Sequence, residues 1–147
     1  MNKKQEYWKS GNIIVTQGDL YPEYYIIRDD GLAYPCNRKL NDWWKSHTAD
    51  EYDDELKSVL PDCIRKYWDV IVVYMPVRRP ADMSLWMPEN IGETRGGLFY
   101  SFGKERAEGV NNDCSFLDKE DYNSDLSCNM KNRTSWDFVR VYEKICI

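Results

Sequence analysis

The side chains that could carry chemistry are few and far apart. His47 is the single histidine in 147 residues. A Cys–His dyad with Cys36 would need the two side chains to converge in space, and nothing in the local pattern supports that. His47 instead shares a helical spacing with Leu40, Trp43 and Trp44, which reads as packing or as a charge near a helix C-terminus. Ser101 lies in Phe99-Tyr100-Ser101-Phe102-Gly103, where Phe99 stands in place of the glycine that a nucleophile elbow needs. Residues 92–97 (GETRGG) lack the Gly-Lys-Ser/Thr ending of a phosphate loop, and Gly103-Lys104 is followed by Glu105 rather than a hydroxyl. Asp121-x-Asn123-x-Asp125 begins like a calcium loop. Leu126 then replaces the turn glycine and Asn132 the closing bidentate carboxylate, so a polar loop is the better reading. The five cysteines, Cys36, Cys63, Cys114, Cys128 and Cys146, are widely spaced and form no C-x-x-C pair. With one histidine they offer no zinc ligand set. The reading leans away from catalysis and requires no metal or cofactor.

Binding chemistry is better represented. The chain holds 6 Trp, 11 Tyr and 4 Phe, and aromatic and arginine side chains dominate binding hot spots. Arg78, Arg79, Trp86, Arg95 and Tyr100 fall in neighbouring loops and strands. If gathered, they would pair arginine forks with stacking faces, suiting a small anionic ligand or a protein surface. Trp43 and Trp44 are adjacent on an expected helix, one to pack and one to face a partner. Asp50, Glu51, Asp53, Asp54 and Glu55 start a second expected helix. They read as favourable N-terminal charge, with Asp53, Asp54 and Glu55 as candidates for steering a basic protein partner.

The net charge of −5 argues against generic nucleic-acid binding. The longest apolar run, Val70 to Met75, is too short to cross a bilayer. Met1 to Lys9 has no apolar stretch behind its lysines, so the expected location is cytoplasmic with reduced thiols. Alanine occurs only at 33, 49, 81 and 107 while Asn, Asp, Lys and Tyr abound, a bias toward A/T-rich codons.

The elements that must hold these residues read as strands at 12–17, 23–28 and 32–34, with an Asp-Gly hairpin signal at Asp30-Gly31. Helices follow over 37–67, broken near Pro61. Asp69 to Met75 is the strongest strand. Leu85 to Met87 reads as a short strand, 92–97 as a flexible loop, and Leu98 to Phe102 as a strand. Residues 107–131 read as a long polar loop or lid. Trp136 to Ile147 closes the chain as a strand with Val139, Val141, Ile145 and Ile147 on one side. No internal repeat is evident. The expected fold is α+β: a single domain over 1–147, with a mostly antiparallel sheet of about five to seven strands and two or three helices (residues 37–67) packed on one face.

The expected function is that of a small acidic macromolecule-binding protein, an inhibitor or immunity-type protein encoded by a phage or mobile element, with a protein as partner. The alternatives are a small-ligand-binding protein or enzyme acting on a nucleotide or sugar phosphate through arginine and aromatic residues, and a structural or virion subunit.

Overall fold

A computed structural model describes residues 1–37, 46–61, 67–111 and 113–145. Strands dominate it: β1 (Ile13–Thr16), β2 (Glu23–Ile27), β3 (Ala33–Pro35), β4 (Val70–Pro76), β5 (Ile91–Thr94), β6 (Phe99–Phe102), β7 (Arg106–Gly109), β8 (Phe116–Asp118) and β9 (Phe138–Ile145). Every pairing given below is antiparallel. The α-helix Lys3–Tyr7 (α1) is short, and the other named helical elements are single 3-10 turns. The fold is therefore mostly β, which corrects the α+β expectation.

The chain divides into two compact units, residues 1–75 with 145–147, and residues 76–144. In the first, β2 pairs with β1 and β3, and β1 also pairs with β4. In the second, β5 pairs with β9 and β6, β6 with β7, and β7 with β8.

The two units repeat one plan, a feature absent from the sequence reading. Asn12-Ile13-x-x-Thr16-x-Gly18 matches Asn90-Ile91-x-x-Thr94-x-Gly96. Trp8 matches Trp86, Ala33 matches Ala107, Tyr52 and Leu56 match Tyr122 and Leu126, and Trp68-Asp69 matches Trp136-Asp137. The hydrogen bonds repeat as well. Trp8 Nε1 donates to Gly31 O and Trp86 Nε1 to Gly103 O. Asn12 Nδ2 donates to Tyr7 O and Asn90 Nδ2 to Leu85 O. Asp69 Oδ1 accepts from Ser58 N–H, as Asp137 Oδ1 does from Cys128 N–H, both at 2.7 Å. Val70 N–H reaches Leu56 O, and Phe138 N–H reaches Leu126 O.

The shared plan explains why the expected helix is absent over the described part of 46–61. Residues 49–51 form one 3-10 turn, then the chain reverses, with Tyr52 bridged to Ser58. Asp53 Oδ1 accepts from Glu55 N–H and Lys57 N–H. A carboxylate bonding its own following backbone competes with the helical ladder. Leu56 then takes φ +63°, as does Leu126 in the second unit. Tyr52 and Leu56 are both buried because the chain folds back on itself, which imitates helical spacing. Leu40, Trp43 and Trp44, and Cys63 and Ile64, lie outside the described residues.

The final strand departs from simple alternation for a similar reason. Val15 and Thr16 pair with Val72 and Val70, skipping Ile71; Glu93 and Thr94 pair with Arg140 and Phe138, skipping Val139. A bulge residue shifts the phase of a strand. Ile71 and Val139 consequently face outward at 43% and 45% exposure, while Val70, Val73, Phe138 and Val141 are buried.

Two other expectations change. Residues 92–94 belong to β5, and only 95–97 turn. A Cβ on Gly92 would lie 2.4 Å from Phe102 Cζ and 2.7 Å from Phe138 Cδ1. The first unit holds Ile14, Ile27 and Val70 at the matching positions, so a glycine with two phenylalanines fills the space that three aliphatics fill there. Residues 107–131 are not a loop or lid: they carry β8 and part of β7, and they bury Leu117, Tyr122 and Leu126. Asn123 and Asp125 serve the turn, with Asn123 N–H on Ser127 O and Asp125 Oδ1 accepting from Ser127 N–H. Residues 85–87 form no strand: Leu85 ends a 3-10 turn, Met83–Leu85, and Trp86 is its C-cap.

Candidate functional site

The arginine and aromatic residues singled out in the sequence are dispersed by this plan. Trp86 is buried in the second unit's core, stacked on Phe102 at 4.5 Å and edge-on to Phe138 at 5.8 Å. Tyr100 is buried in the same core, with its hydroxyl 3.1 Å from Ser115 Oγ. Arg79 binds Asp82 at 2.8 Å and also donates to Ser84 Oγ. Arg95 sits 3.6 Å from Asp137. Arg78 is exposed. Trp86 and Tyr100 are thus brought together, but as core.

The acidic residues stay outside. Asp54 and Glu55 are exposed, with Glu55 3.7 Å from Lys3 Nζ, while Asp53 is committed to its turn. Among the described residues no group of three or more His, Cys, Asp or Glu could hold a metal ion. Cys36, Cys114 and Cys128 form no disulfide. No helix among the described residues is long and apolar enough to cross a membrane.

Because the units share a plan, each serves as the other's control, and the places where they differ are candidates for function. One difference is His47. It bridges Ala33 as Leu117 pairs with Ala107, so a histidine stands where the second unit has leucine. His47 is 3% exposed. Its Nδ1 lies 3.0 Å from Glu51 Oε2 and 3.4 Å from the Tyr52 hydroxyl. Its ring meets Trp68 at 4.2 Å and Tyr25 at 4.6 Å, both edge-on. The Tyr25 hydroxyl donates to Glu23 Oε2 at 2.5 Å. An ionised Glu51 carboxylate can only accept, so Nδ1 carries the proton of the neutral ring. Burial pushes the imidazole below its ordinary range, opposed by the charge and hydrogen bond of Glu51 and the charge of Glu23. Burial also raises the Tyr52 hydroxyl, assisted by the Glu51 charge.

A testable consequence follows from the direction of the His47 shift. A histidine with a lowered folded-state pKa binds its proton more weakly when folded than when unfolded. Its contribution is therefore intact above the unfolded value of about 6.5 and is lost as pH falls below it toward the folded value. His47→Leu, which copies the second unit, is expected to fold and to remove this loss. Thermal melts of both proteins from about pH 7.5 to 5 check it. The expected result is a melting-temperature gap that shifts in favour of the variant as pH falls; parallel curves would contradict the assignment.

The second difference is the hairpin between β1 and β2. Thr16 pairs with Glu23, leaving residues 17–22 as the loop. In the second unit Thr94 N–H reaches Leu98 O, so residues 95–97 suffice. The longer loop is seated at its base: Gln17 N–H donates to Asp69 O and Gly18 N–H to Tyr67 O. Gly18 has φ +69°, and a Cβ there would lie 1.7 Å from Tyr21 O, so only glycine fits the fold-back. The tip displays Leu20 at 83% and Tyr21 at 59% exposure. Asp19 and Glu23 flank them, both exposed. Asp69 Oδ1 also accepts from Ser58 N–H, and the next residue, Val59, is exposed. The sequence reading missed this loop. Its signal was Leu-Tyr between Gly-Asp and Pro, an apolar pair in a segment that otherwise reads as a turn.

In the second unit, a shallow groove is lined by Met83, Glu105, Arg106, Asp118, Lys119 and Glu120. Arg106 lies 3.8 Å from Asp118 and 4.2 Å from the Phe116 ring centroid, so its charge is already engaged. In comparisons with known proteins, the chain matches no family model, no curated protein and no solved structure.

Proposed function

We propose that this protein works by binding another macromolecule, as an acidic inhibitor or immunity-type protein would, and that the first unit carries the contact. The observation that supports this reading is the 17–22 loop. The second unit closes the same hairpin without it, so folding does not require the extra length. That length places Leu20 and Tyr21 in water. An exposed tyrosine on an anchored loop is the usual material of a protein-binding hot spot, and Leu20 adds apolar area next to it in the chain. Asp54 and Glu55 stand ready to steer a basic partner. The small-anion reading loses support, because Trp86 and Tyr100 are buried and Arg79 and Arg95 face carboxylates.

Cross-linking in the native cells tests the reading. A photo-reactive residue placed at Tyr21 is expected to yield a discrete protein adduct that excess unlabelled wild-type protein competes away. The same probe at Lys104, in the second unit, is expected to yield none. Adducts that are diffuse, or unaffected by competition, would contradict the proposal.

A further inference from the structure

Resting on that reading, we infer that the 17–22 loop is an anchor for one kind of partner surface: a protein cleft with an apolar floor and a rim of lysine and arginine. Three observations define this chemistry. The tip is apolar, with Leu20 at 83% and Tyr21 at 59% exposure. The loop's own segment carries one sign: residues 16–27 contain Asp19 and Glu23 and neither lysine nor arginine, and Lys57, near the loop's base, is paired with Asp69 at 4.0 Å. The backbone is held before any partner arrives, through Gln17 N–H on Asp69 O, Gly18 N–H on Tyr67 O, and the tight approach of Gly18 to Tyr21 O.

Each observation has a consequence for recognition. Exposed apolar and aromatic side chains contribute most when a partner's pocket desolvates them, and tyrosine brings a hydroxyl that can stay at the pocket's rim. Two carboxylates beside the apolar tip repel phosphate backbones and anionic lipid headgroups and attract ammonium and guanidinium groups. A loop already held in shape loses less entropy on docking than a free one.

A phage-displayed library of random peptides, selected on the intact protein, provides the probe. The recovered peptides are expected to combine aromatic or aliphatic residues with lysine or arginine, and to bind more weakly as salt rises. Their affinity is expected to fall at least about tenfold on Leu20→Ser and on Tyr21→Ser. It should disappear when residues 17–22 are replaced by the Arg-Gly-Gly turn of residues 95–97. The two serine substitutions lie on the surface, so they decide the matter even if the shortened loop fails to fold. Peptides that bind all three variants equally, lack basic residues, or fail to enrich over the shortened-loop protein would overturn the inference. So would binding of the wild-type loop to phosphatidylcholine vesicles, which would assign the tip to a lipid surface. None of these results removes the Tyr21 adduct expected in cells, so this inference and the broader binding reading fail separately.

Discussion

Trp86→Ala is expected to destabilise the protein by about 3–5 kcal/mol, the range for truncating a buried aromatic. Trp86 is 3% exposed, stacks on Phe102, and donates from Nε1 to Gly103 O at 2.8 Å. The alanine variant loses the packed ring and leaves a carbonyl without its donor. Trp86→Phe keeps ring contact and loses the indole hydrogen bond, so it should cost less than the alanine variant. Urea unfolding, monitored at matched pH, measures both. The sequence alone suggests a binding-surface role for Trp86, in which its loss speeds release of a partner; a residue that acts there only by contact is dispensable for stability. A wild-type urea midpoint in Trp86→Ala would favour that reading over the present one.

Leu56→Ala and Leu126→Ala are each expected to cost about 2–5 kcal/mol, and the two costs should be similar. Both leucines are fully buried and both occupy φ +63°. A branched side chain in that region costs on the order of 1–2 kcal/mol, so the fold keeps leucine there for its packing. Each leucine shares its core with a tyrosine and a strand residue, Tyr52 and Val70 in the first and Tyr122 and Phe138 in the second, and its carbonyl accepts from the N–H of that strand residue. Leu56→Gly and Leu126→Gly relieve the backbone but remove the packing, and should remain below wild type. Stabilisation by either glycine would show that the buried leucine is not what holds the reversal in place.

The strands were legible where residues alternate or run apolar between turns: Ile13–Thr16, Glu23–Ile27, Val70–Pro76 and Phe99–Phe102 lie close to their expected bounds. The misreadings share a physical origin. Tyr52 and Leu56 repeat at helical spacing, yet Asp53 bonds the backbone ahead of it and Leu56 reverses the chain. Gly92 looked like loop flexibility and is instead a gap for two phenyl rings. Val139 was placed on one side with Val141, but the bulge at Val139 turns it outward. The repeat escaped notice because hairpins of unequal length change the spacing between matched residues along the chain. Trp8 to Trp86 is a wider separation than Asp69 to Asp137, so no single offset aligns the halves.

The candidate site was hidden for a different reason. Sequence patterns point to aromatic residues and to arginine, and in this fold many of those serve the cores or pair with carboxylates. The contrast between the two units carries the information instead: a histidine where the second unit has leucine, and a long apolar-tipped loop where it has a short turn. Neither contrast exists until the units are matched through their hydrogen bonds.

On the proposed reading, the 17–22 loop holds a protein partner. Titration calorimetry with the partner recovered through the Tyr21 adduct decides this, comparing wild-type protein with the chain whose loop is replaced by the Arg-Gly-Gly turn. The expected result is at least about a 100-fold weaker Kd, equivalent to losing hot-spot contacts worth about 2.7 kcal/mol, with the melting temperature nearly unchanged. An unchanged Kd in a folded shortened-loop protein would contradict the claim.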